Sequence, residues 1–262
     1  MGKWSINVLL GSVLVLASVS VVPAAELQVI AGGGIADPLN EIAVLFEDAS
    51  GHKVVIRYGT APELIKMATS GVPFDLGVVP QDVWKDAAAR AQVAAGPTSD
   101  VARVGIGVAV RAGAPRGDIS TAEALKQMLL KAQSIASIPA SASGAQLAGM
   151  YERLGIANEM KAKTKAQPTP KQIVEAVANG DAELAVFTLN VLIDPRIDIV
   201  GPFPAELQRE IVYAAGVAAN SKESEAAKAF VAYLMGPSAI AVIKAKGMNP
   251  AETKHCAVAP AQ

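Results

Sequence analysis

Four short stretches of the chain place hydroxyl or glycine residues where a helix begins. Thr60-Ala61-Pro62-Glu63 has the form of a capping box, with Pro near the first helical position and Glu three residues after the cap. Thr169-Pro170-Lys171-Gln172 repeats that chemistry with Gln in the Glu role, and Ser143-Gly144-Ala145-Gln146 gives a third start. The fourth is the turn Gly32-Gly33-Gly34, which runs into Asp37-Pro38. A helix start leaves backbone N–H groups unpaired and carries a partial positive charge. Several starts meeting at one point therefore hold an anion without Lys or Arg. Singly, each motif is an ordinary cap; only the set points to a ligand.

Other chemistries find no support in the residues. The glycine run lacks the third Gly and the acidic partner of a dinucleotide fingerprint, and there is no phosphate-binding GxxxxGK, no HExxH and no GxSxG. His52 and His255 are far apart and show no metal-ligand spacing, so neither a metal nor a cofactor is expected. Ser50-Gly51-His52-Lys53 reads as a turn with a solvated His. Cys256 is the single cysteine, so no internal disulfide forms. A net charge of −1 with mixed signs and 4% aromatic residues gives neither a basic surface nor stacking platforms for nucleic acid.

The positioning elements alternate. Strands are expected at 27–30, 53–58, 74–79, 104–110, 134–138, 183–187 and 211–219. Helices are expected at 37–49, from Thr60, and at 121–131, 145–154, 170–179, 223–235 and 238–246. Leu39, Ile42, Ala43, Leu45 and Phe46 form the apolar side of the first helix. The βαβαβ order predicts an α/β fold with mostly parallel sheets, whose ligand crevice lies at the carboxyl ends of the strands. Two lobes are expected, one from residues 25–103 and 219–262, the other from 104–218, with the segments near 103 and 218 as hinges. Before them, Lys3, the uncharged apolar run from Ile6 to Val22 and the exit Val22-Pro23-Ala24-Ala25 read as a signal peptide at 1–24 cleaved after Ala24. Export to the periplasm as a monomer, with no membrane insertion after cleavage, is the expectation.

At this point the sequence resembles the molybdate-binding family of periplasmic solute-binding proteins. The likeness lies in Ala31–Leu39, in Gly71-Val72-Pro73-Phe74-Asp75, in Glu175–Phe187, and in Ala229-Phe230-Val231-Ala232-Tyr233-Leu234-Met235-Gly236-Pro237 with Gly247 beyond. It implies a type II periplasmic binding fold, two α/β lobes closing on a small anion, and an ABC permease as partner. The family's ligand serines fall on Gly34 and on Ala61, with Thr60 beside it as a substitute. Its second-lobe backbone donors fall on Ser143 and near Pro170 or Lys171, and its pocket tyrosine falls on Thr188. The candidate ligand positions are thus Gly33, Gly34, Thr60, Ala61, Ser143, Gly144, Lys171 and Thr188. Loss of the hydroxyls predicts a wider cleft suited to a di- or tricarboxylate.

The resemblance also reaches a branch that acts as aconitate isomerase, interconverting the cis and trans acids by moving one proton between two carbons. Two functions therefore stay open, a non-catalytic receptor and a cofactor-independent isomerase. Arg57, Lys66 and Lys171 are candidate carboxylate clamps, and Glu63, Tyr58 and Asp75 are candidate proton carriers. None of the three is singled out by the sequence.

Overall fold

The structure, a computed structural model, describes residues 24–251. All but the last residue of the expected signal peptide lies outside the described residues, as do His255 and Cys256. Among the described residues no single helix is long and apolar enough to cross a membrane.

The chain opens with β1 (Glu26–Gly32), a 3-10 turn at Gly33–Ile35, α1 (Ala36–Ser50), β2 (Lys53–Gly59), α2 (Ala61–Thr69) and β3 (Leu76–Pro80). A short α3 (Ala87–Ala91) precedes β4 (Ser99–Val104) and β5 (Ile106–Arg111). Then follow α4 (Ala122–Lys131), β6 (Ile135–Ser137), α5 (Ala142–Leu154), α6 (Ala157–Lys163), β7 (Thr164–Ala166), α7 (Pro170–Ala178), β8 (Leu184–Thr188) and β9 (Ile197–Pro202). The chain returns through β10 (Ile211–Val217), α8 (Ser224–Leu234), α9 (Pro237–Ala245) and β11 (Asn249–Pro250).

Two sheets result, ordered β11-β4-β10-β3-β1-β2 and β7-β6-β8-β5-β9. β1 pairs in parallel with β2 and β3, as the βαβαβ order predicts, and Gly32 stands opposite Gly59. Two expectations are corrected. The single strand at 104–110 is instead two strands either side of Gly105, one in each sheet. Gln208 clamps this crossing, its Oε1 accepting from Ile106 N at 2.9 Å and its Nε2 donating to Ile106 O at 2.8 Å. Second, β10 lies antiparallel between β3 and β4, so residues 211–217 join the six-stranded sheet rather than the second lobe. Strand pairing thus puts the crossings at Gly105 and between Pro202 and Ile211. Apolar alternation marks a strand but does not say which sheet it enters.

Burial on both faces explains the apolar strands. Leu27, Val29 and Ala31 of β1 pack with Leu39, Ile42 and Phe46 of α1 and with Phe230, Leu234 and Ile243 of α8 and α9. Ile30 points the other way, into a cluster with Leu64 of α2, Val79 and Trp84. Leu45, expected on the buried side of α1, is 37% exposed. Gly51 ends α1 in the left-handed region (φ 75°), where a side chain is strained. His52 is buried rather than solvated, because the turn folds it beneath the start of β1. Its Nδ1 accepts from Ala25 N at 3.1 Å and its ring stacks on Phe46.

Candidate functional site

Parallel strands end on one edge of each sheet, so the helix starts that follow β1, β2, β6 and β7 are carried toward the seam between the lobes. Gly33 lies there, and a Cβ built on it would sit 3.5 Å from the Pro170 ring at the head of α7. The starts of α1 and α7 therefore face each other across the seam. Gly34 is more crowded. A Cβ at Gly34 would overlap Tyr213 Oη and lie 3.7 Å from Thr188 Oγ1. Its carbonyl accepts from Asn190 Nδ2 at 2.8 Å, a bond that ties the two lobes. The wider cleft expected from Gly34 is corrected at this position, because the Tyr213 side chain takes the space.

At α2 the capping box forms. The Glu63 carboxylate accepts from Thr60 N and from the Thr60 hydroxyl, both at 2.7 Å. The backbone N–H, with the hydroxyl beside it, holds the Glu63 carboxyl below its ordinary range. The Thr60 hydroxyl is thus committed to Glu63, which corrects its expected substitution for a serine at Ala61. The N–H of Ala61 is one that a helix leaves unpaired in its first turn.

The start of α5 is displaced from its expected place. Ser141 is the cap, accepting from Gly144 N at 3.0 Å and donating to Ile138 O at 2.7 Å, and the helix begins at Ala142. Ser143 sits inside the first turn, 2% exposed, with its hydroxyl 2.9 Å from that of Ser141. Gly144 is corrected from ligand donor to packing position. Its N–H is used by Ser141, and a Cβ there would overlap the Ile138 and Pro139 carbonyl oxygens. The donors this start offers are the N–H groups of Ala142 and Ser143.

At α7 the Thr169 hydroxyl caps, accepting from Gln172 N at 3.4 Å and donating to Gln172 Oε1 at 2.7 Å. The Lys171 side chain is 81% exposed and lies 3.7 Å from Glu175, and its backbone N–H is one that a helix leaves unpaired in its first turn. Thr188, at the end of β8, is 1% exposed. Its Oγ1 has no partner among the described residues, and neither have the buried Asn190 Oδ1 and Gln146 Oε1.

The proposed clamps and proton carriers are occupied elsewhere. Arg57 donates to Pro73 O at 3.1 Å, Lys66 is exposed, and the Tyr58 hydroxyl donates to Asn40 Oδ1 at 2.7 Å. Asp75 precedes β3, at the strand end away from the seam, where it accepts from Gln28 N and Ser221 Oγ at 2.8 and 2.7 Å. Among the described residues no cluster of His, Cys, Asp or Glu is placed to hold a metal ion.

Open cavities do not mark the seam. One of about 810 Å³ is lined by Arg111, Lys131, Ser134 and Glu183. Another of about 470 Å³ lies between α5 and α6. Neither includes Gly33, Gly34, Thr60, Ser143 or Thr188. At the seam the Asn190 side chain bonds the Gly34 carbonyl, and the buried Thr188 Oγ1 near Gly34 has no partner among the described residues.

Two α/β lobes joined by crossing segments, with helix starts from both facing one seam, define a two-lobed ligand-binding protein. The chain belongs to the bacterial extracellular solute-binding proteins, whose family model matches residues 27–249. It is 33% identical over 235 residues to an aconitate isomerase from Pseudomonas sp, covering 87% of this chain and 89% of that protein. It is 30% identical over 229 residues to a molybdate-binding protein from Azotobacter vinelandii, covering 86% and 90%. The solved periplasmic molybdate-binding protein of Azotobacter vinelandii superposes with a TM-score of 0.70 at 21% identity, covering 85% and 98%. The type II periplasmic binding fold is thereby shown. The family is thus one of extracellular solute-binding proteins, with a periplasmic molybdate-binding protein among its members.

Sequence reasoning missed Tyr213 and Asn190, which belong to no motif. The one available signal for Tyr213 is its place as a lone large residue before Ala214-Ala215-Gly216, in a chain whose triple glycine leaves space to fill.

Proposed function

We propose that this protein, exported by removal of residues 1–24, holds a small di- or tricarboxylate between its lobes and interconverts cis- and trans-aconitate. The observation that carries the reading is the arrangement of donors. A Cβ built on Gly33, just before α1, would sit 3.5 Å from the Pro170 ring at the head of α7, and the starts of α2 and α5 are set at other strand ends. Donors spread in this way suit carboxylates distributed over a carbon skeleton. The likeness to the Pseudomonas aconitate isomerase supports the same ligand.

The reaction asks little of the protein. A proton leaves the methylene carbon, the double bond shifts across the allyl system, and a proton returns to the former vinyl carbon. Nothing is oxidised or reduced. The helix-start N–H groups hold the carboxylates into which the allylic charge delocalises. Glu63, kept ionised by its cap, is a weak proton acceptor for this step.

A second reading, a non-catalytic receptor for molybdate or a related oxyanion that serves an ABC importer, is favoured by the Azotobacter vinelandii relative. An ultraviolet assay separates the two. The isomerase reading expects purified protein to convert trans-aconitate to cis-aconitate with no added metal and with a chelator present. Binding of trans-aconitate with its geometry unchanged would leave only a receptor.

A further inference from the structure

We infer that Tyr213 and Thr188 form a two-hydroxyl clamp that grips one carboxylate of the ligand, at the place where a serine side chain on position 34 would otherwise stand. The inference rests on the carboxylate reading and names which groups at that seam discriminate the ligand.

Tyr213 lies on β10, flanked by β3 and β4, and is 3% exposed. Its ring edge approaches Gly32, where a Cβ would lie 2.9 Å from Cε1. The hydroxyl then reaches Gly34, close enough that a Cβ there would overlap it. Thr188 arrives from the other sheet, and its Oγ1 lies 3.7 Å from the same point. The two oxygens therefore lie near one position, one from each lobe.

Neither hydroxyl is used within the protein. Thr188 Oγ1 has no partner among the described residues, and Tyr213 Oη makes no hydrogen bond with any of them. A buried hydroxyl without a partner is costly, so Thr188 Oγ1, with the unbonded Tyr213 Oη near the same point, calls for an acceptor from outside the chain. A carboxylate, with two acceptor oxygens, matches two donors near one point. Burial pushes the Tyr213 hydroxyl above the ordinary tyrosine range, so it remains a protonated donor at neutral pH. Gly34 then has a definite role. It is the residue that leaves room for a hydroxyl supplied by another strand.

The test compares the full mature chain with Tyr213→Phe, Thr188→Val and the double variant. Titration calorimetry with trans-aconitate gives the dissociation constant, steady-state assays give KM and kcat, and thermal melts check folding. Each single variant should melt as a cooperative unit and bind trans-aconitate about tenfold or more weakly, as expected for a lost bond to a charged group. The two losses should be non-additive in the double variant. Gly34→Ser should abolish binding in the Tyr213 background and recover part of it when combined with Tyr213→Phe. Folded single variants with unchanged affinity, in a parent that binds and converts aconitate, would overturn the clamp and leave the proposed function standing. A parent that ignores aconitate would overturn both, and the parent titration alone reports that case.

Discussion

Glu63 shows how a residue that looks catalytic is settled by its neighbours. Its carboxylate accepts the Thr60 N–H and hydroxyl at the head of α2, and these bonds lower its pKa below the ordinary value of 4.5. A depressed acid stabilises the fold at pH values above its unfolded pKa and loses that contribution as the pH falls through its folded pKa. The group is near the surface, so screening limits the contribution to about 0.5 kcal/mol. Glu63→Gln should therefore melt slightly lower than the parent at pH 7, and the gap should close as the pH falls below 4.5. Turnover should change by no more than about threefold, since removal of a true general base typically costs 10²-fold or more. A loss of that larger size would make Glu63 the proton carrier. Lys171→Ala supplies the complementary check. Its exposed ammonium pairs only with Glu175, so ligand affinity measured by calorimetry should move by less than about twofold.

At the scale of the element, α5 carries two glycines with opposite demands. Gly144 packs against the Ile138 and Pro139 carbonyls, and Gly149 has nothing within 4 Å of where its Cβ would be. Gly144→Ala should destabilise by about 1–3 kcal/mol, because backbone must shift. Gly149→Ala should stabilise by about 0.5–1 kcal/mol through helix propensity alone. Urea melts of the two variants decide the signs, and a neutral Gly144→Ala would show that the α5 start is pliable. The same helix shows what the sequence could and could not disclose. Its end at Leu154 and the bounds of α1, α4 and α7 are legible to within a residue or so from periodicity and caps. Its start is not, because Ser141 and Ser143 are both acceptable caps two residues apart, and only the position of Ile138 O selects Ser141. β9 and α6 are too short or too mixed in pattern to announce themselves.

Over the whole molecule, the missing information was long-range. The helix starts of α2 and α7 could be read locally, but Tyr213 reaches the seam only because β10 crosses back into the first sheet, beside β3. No window of sequence around Tyr213 contains Gly34 or Thr188. Contacts between the lobes include Asn190 on the Gly34 carbonyl and Ala142 and Leu189 packed on the core of the first sheet, while Gln208 clamps one crossing at Ile106. Two lobes joined by crossing segments suit opening and closing about those crossings. Small-angle scattering should show a free protein more extended than this closed form and a contraction when trans-aconitate saturates it. Asn190→Ala, which removes the tie, should favour the extended state and weaken binding by about three- to tenfold. An identical radius with and without saturating ligand would rule out a closing seam.

The central claim is that the seam selects a carboxylate skeleton over a compact tetrahedral oxyanion. Parallel calorimetric titrations of one preparation with trans-aconitate and with molybdate test it most directly. The account predicts saturable binding of trans-aconitate, tighter than that of molybdate. Tight binding of molybdate with no response to trans-aconitate would contradict it.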